Sequence, residues 1–67
     1  MKYKYKVGTI VSIRVDKDFL MAGIIKEHTT KNDHDGKTYP AYIILWANGV
    51  QGRFFANDVG NFVKVIA

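Results

Sequence analysis

Cysteine is absent from this 67-residue chain, so neither a disulfide framework nor a thiolate zinc site can brace the fold. That absence suits a reducing cytosol. Proline occurs once, at position 40, and histidine only at 28 and 34. The apolar runs stay far short of the roughly 20 residues that a membrane-spanning helix needs. The basic start, Met1 to Lys6, is followed by neither the apolar stretch nor the small-residue cleavage site of a secretory signal. No membrane partner is expected. No segment carries a convincing 3.6-residue hydrophobic period, which argues against a helical domain. Repeats, low-complexity tracts and linkers are missing too. What remains is one domain, residues 1–67, with a single modest core, since a chain of this size buries only about 60% of the surface its unfolded form exposes.

The chain does contain β-sheet signals. Between Tyr39 and Phe55 an apolar run (Tyr42, Ile43, Ile44, Leu45, Trp46) meets Asn48-Gly49, and a second run ends in Phe54-Phe55. Asn-Gly between hydrophobic runs predicts a hairpin closed by a type I′ turn, which needs positive φ at both central residues. Upstream, Thr9 to Val15 predicts a first strand, with Thr9, Val11, Ile13 and Val15 on one face and Ser12 and Arg14 on the other. Asp16-Lys17-Asp18 is a turn, and Phe19 to Glu27 a second strand. Gly23 within it marks an expected bulge or bend.

The polar stretch Thr29 to Thr38 reads as a mobile loop. Pro40, lacking an N–H, belongs at the edge or start of the third strand, and Val50 to Phe55 forms the fourth. Ala56 to Gly60 is too short for an α-helix and fits one 3₁₀ turn. Phe62 to Ile66 closes the chain as a fifth strand, with Phe62 packed beneath that turn. The fold class expected is therefore all-β: five antiparallel strands curled into a barrel around Val11, Ile25, Ile44 and Val65, with a 3₁₀ turn before the last strand.

This order of elements resembles the SH3-like barrel. The likeness rests on Lys6-Val7-Gly8, on Gly23-Ile24-Ile25, on Tyr42 to Trp46 before Asn48-Gly49, and on Phe54-Phe55-Ala56-Asn57-Asp58-Val59 leading into the last strand. It looks like the KOW/Tudor-like branch, and most like small barrels of uncharacterised role encoded by tailed bacteriophages. It is more loosely similar to the SH3-like accessory protein of photosystem I, through Tyr39-Pro40 and Phe55-Ala56-Asn57-Asp58. The resemblance implies a binding module located in the cytoplasm, which for a phage protein means the host cytoplasm or the virion. These motifs specify strand ends and core positions, so they carry fold and almost no function.

Catalysis needs an oriented base beside a nucleophile or a second carboxylate. His34 sits at an expected loop tip, His28 ends a strand, and the acids fall mostly in turns, so no enzyme and no cofactor are expected. Asp33-His34-Asp35 lacks the outer acidic positions of a calcium loop and offers too few oxygens for a hard cation. No metal site is expected either. Two surfaces remain.

The favoured one docks a protein partner through an exposed strand edge and a patch of Tyr42, Arg53 and Phe54, because aromatic residues and arginine dominate interface hot spots. Of Phe54 and Phe55, strand alternation turns one outward. Tyr39, Tyr42, Trp46, Phe54 and Phe55 are also candidates for a cage around a cationic side chain. The alternative surface binds nucleic acid. There Lys2, Lys4, Lys6, Arg14 and Arg53 would meet phosphates while Tyr3 or Tyr5 stacks on bases, in keeping with a net charge of +4. Either way the chain works as a monomer or as part of a larger assembly.

Overall fold

Alternating β-branched and aromatic positions do form strands. In the computed structural model, which describes residues 3–66, one antiparallel sheet contains β1 (Ile10–Asp16), β2 (Phe19–Asn32), β3 (Thr38–Trp46), β4 (Gln51–Phe55) and β5 (Lys64–Val65). A helix, α1 (Ala56–Phe62), connects β4 to β5. The strand order is β4-β3-β2-β1-β5, so β4 and β5 stand at the two ends of the sheet. Among the described residues no helix is long and apolar enough to cross a membrane.

Val11, Ile25, Tyr42 and Ile44 line up on one face of β1, β2 and β3 and are fully buried, together with Val59 of α1. Burial of each such side chain contributes roughly 1.5–3 kcal/mol. Tyr5, Trp46 and Val63 complete this cluster. Val65, expected at its centre, is instead half exposed, and Val63 takes that place. The fifth strand shrinks to two residues because Val63 N–H bonds Val59 O and so ends α1 just before it.

The Asn48-Gly49 hairpin forms, with a different turn. Gly49 has φ +87°, but among the described residues only glycines have positive φ, so Asn48 does not meet the type I′ requirement. Gly49 N–H donates to Trp46 O, Trp46 N–H donates to Val50 O, and the Asn48 side chain accepts from Val50 N–H. This is a three-residue loop, with a type I-like turn followed by a glycine in the left-handed region. Positions 33–37 repeat every one of these bonds: Gly36 N–H to Asp33 O, Asp33 N–H to Lys37 O, and Lys37 N–H to the Asp35 carboxylate.

The stretch from Thr29 to Thr38 is accordingly not the loop its polarity suggested. β2 and β3 continue through it in register from Thr29↔Ala41 to Asn32↔Thr38. This arm is largely exposed or half-buried and carries little apolar alternation, which is why composition misled. Pro40 lies one residue beyond the last β3–β4 pair, Ala41↔Phe55, where β3 has a neighbour on one side only.

Two further expectations change. The bulge falls between Ile25 and Glu27 rather than at Gly23. Gly23 serves a close approach, since a Cβ there would lie 2.5 Å from Cε3 of Trp46. The residues after β4 make a seven-residue α-helix rather than a 3₁₀ turn. No side chain caps its start, and what holds it is the burial of Val59, with Asp58 favourably placed in the first turn. Phe62, expected to pack under that turn, is 46% exposed.

Candidate functional site

The register separates the three residues expected to share a docking patch. Tyr42 and Phe54 face each other across β3 and β4 on the core side, whereas Arg53 pairs with Ile43 and points the other way. Tyr42 has no exposed surface, and its hydroxyl accepts the Tyr5 N–H at 3.0 Å. It is a core residue and no surface anchor. Phe54 is half-buried, edge-on to Trp46 with ring centroids 6.0 Å apart. Arg53 is exposed and reaches across β3 to donate to Thr30 O at 3.3 Å. No single patch unites them.

The basic and aromatic face comes apart in a similar way. Tyr3 stacks on His28, with centroids 4.1 Å apart and planes 2° from parallel, and its hydroxyl donates to Thr29 O. Tyr5 is buried, and its carbonyl accepts from His28 Nε2. Both rings are committed to holding the segment before β1 against β2 and β3, so neither is offered to a nucleic-acid base. Lys4 and Lys6 are exposed nearby. Arg14 pairs with Leu20, eight residues before His28 on β2, or roughly 25 Å at the rise of a strand. Lys2 lies outside the described residues.

The structure assembles a different site. Because Ala41 pairs with Phe55, the start of β3 is set beside the end of β4 and the first turn of α1. A groove of about 490 Å³ opens there, walled by Asp33, Tyr39, Pro40, Phe55, Asn57 and Asp58. Tyr39 and Phe55 meet edge to face, with centroids 6.1 Å apart and an interplanar angle of 82°. Asp35 steadies Tyr39 by accepting its hydroxyl at 3.2 Å. Asp33 is tied on one oxygen to His34 at 2.7 Å. The Asp33-His34-Asp35 run thus serves the hairpin tip, and among the described residues no group of His, Cys, Asp and Glu converges as metal ligands.

The chain carries a net charge of +4, yet the ionisable side chains lining this groove other than tyrosine are both carboxylic. Aromatic walls beside carboxylates suit an ammonium or guanidinium group, which the ring faces and the acids both attract. The molecule supplies an internal example: Lys31 Nζ sits 4.8 Å from the Phe55 ring centroid. Tyr39 and Phe55 were recognisable in the sequence as aromatic candidates for a cationic ligand. Asp58 was not, because only the turn from β4 into α1 brings it to them. Comparison with protein-family models, with curated proteins and with solved structures gives no match to this chain.

Proposed function

We propose that this chain is a non-catalytic docking module that receives a basic protein segment in the groove between Tyr39, Phe55 and the carboxylates of Asp33 and Asp58. The groove's charge, opposite in sign to that of the whole chain, is the observation that carries this reading. An incoming lysine or arginine lays its aliphatic stem on the rings and sets its charge between the acids. The SH3-like barrel remains the proposed fold. The strand order and the placement of a short helix between β4 and β5 support it. In that reading the partner belongs to a larger assembly, as a virion component or a host protein if a phage encodes the chain.

Titration of the labelled protein with a lysine-rich hexapeptide and with its glutamate counterpart tests the groove. Amide shifts at residues 33, 39, 55, 57 and 58 are expected with the lysine peptide only. Asp58→Lys, on an exposed helix position, should remove them while the circular dichroism spectrum stays unchanged. Equal shifts with both peptides would refute the charge selection. The rival function, nucleic-acid binding through Lys4, Lys6 and Arg14, requires an affinity for DNA or RNA that falls steeply with salt.

A further inference from the structure

The first turn of α1 borders the acidic groove, and its last residue, Phe62, borders a second one of opposite character. Ser12, Arg14, Leu20, Phe62 and Lys64 enclose about 110 Å³ there. The pairs Arg14↔Leu20 and Ser12↔Lys64 place four of these side chains on one face of the sheet. Both ionisable members are cations. Leu20 is 59% exposed, and Phe62, which lines the same groove, is 46% exposed. Large apolar side chains left in water together, and rimmed by charge, mark a contact surface. β5 ends the sheet, so one edge of Lys64–Val65 has no strand paired against it among the described residues.

We infer that this corner binds an extended acidic segment of a partner protein, which adds to the free edge of β5. An apolar side chain of the segment fills the space between Leu20 and Phe62, and a flanking carboxylate reaches Arg14 or Lys64. Three features select this occupant. The open backbone edge calls for another peptide backbone, whose N–H and C=O groups can pair with it. The apolar walls call for a hydrophobic side chain. The two cations favour acid and repel the basic segment assigned to the other groove. Arg14 is already oriented, since its Nη1 donates to Lys17 O at 2.8 Å and holds the guanidinium over the β1–β2 turn. Of the two acids in that turn, Asp16 and Asp18, the first has one carboxylate oxygen engaged by the Lys17 N–H. With both grooves filled, the module bridges a basic and an acidic partner.

The test is an amide-shift titration of the full chain with the blocked peptide Glu-Leu-Glu-Val-Glu-Leu-Glu, its lysine analogue and a ten-nucleotide oligothymidine, with sedimentation of the unliganded protein alongside. Shifts at Ser12, Arg14, Leu20 and residues 62–66 with the glutamate peptide are expected, and the double variant R14E/K64E should weaken them about tenfold or more. Both substitutions are at exposed positions, and an unchanged thermal transition verifies the fold. Absence of shifts at millimolar peptide, equal response to the lysine analogue, or tighter binding of the oligonucleotide at these residues would overturn the inference. So would self-association abolished by R14E/K64E, which would make a second copy the occupant. These outcomes are independent of whether the Tyr39–Phe55 groove binds anything.

Discussion

Gly23 and Tyr42 show what a single position contributes here. The Trp46 indole lies so close to Gly23 that a methyl group at that position would stand 2.5 Å from Cε3 and 2.8 Å from Cζ3. Trp46 is nearly buried, so it has little room to withdraw. Gly23→Ala is therefore expected to destabilise the domain by about 1–3 kcal/mol, the usual cost of overpacking, read as a lower midpoint in urea denaturation. An unchanged midpoint would mean that the indole is free to move. Gly23 stands out in the sequence, but for the wrong reason, because a bulge and a close approach both favour glycine. Tyr42 was misplaced for another reason. It begins the unbroken apolar run Tyr42-Ile43-Ile44-Leu45-Trp46, and such a run lacks the in–out alternation that would say which side each residue faces. Its phase follows from the register with β2 and β4, and its hydroxyl receives the N–H of Tyr5, far away in sequence.

Among the elements, two of the three hairpins are twins. Asp35-Gly36 and Asn48-Gly49 each put an acceptor side chain before a left-handed glycine, and each closes a three-residue loop with the same bonds. The second was readable because apolar runs flank it; the first was hidden by polar strands, although the same pair of residue types was present. Helix α1 was also illegible. Residues 56–62 have weak helix propensity, and what holds them is tertiary: the burial of Val59 over the sheet. A pair of substitutions separates backbone conformation from space. Around both Gly49 and Gly60 a methyl group would meet nothing within 4 Å. At Gly49, with φ +87°, alanine should cost about 1 kcal/mol or more. At Gly60, inside α1, it should stabilise by about 0.5–1 kcal/mol. Thermal melts of the two variants should move in opposite directions.

Across the whole molecule, stability is expected to grade from the β2–β3 centre outward. Ile25 and Ile44 are paired there and fully buried, β4 and β5 close the sheet's ends, and β5 has only two residues. Native-state hydrogen exchange should find the slowest amides around Ile25 and Ile44 and much faster exchange at Lys64 and Val65. Slow exchange at β5 in the isolated protein would mean that its free edge is covered, and would count against peptide addition there. The number of strands could be anticipated because alternation and turn residues are local signals. Neither groove could be, because each joins one end of α1 to strands distant in sequence.

The irregularity between Ile25 and Glu27 resets the phase of the rest of β2. Ile25 sits opposite Ile44 and Glu27 opposite Ile43, so Lys26 is a spare residue in the count. Reading β2 by strict alternation is correct before it and one step out of phase after it, which is how His28 comes to share the inner side with Ile25. A chain lacking Lys26 would keep each of its cross-strand partners and lose only the local kink. That single extra amino acid thus turns the His28 imidazole inward, onto the Tyr3 ring and the Tyr5 carbonyl.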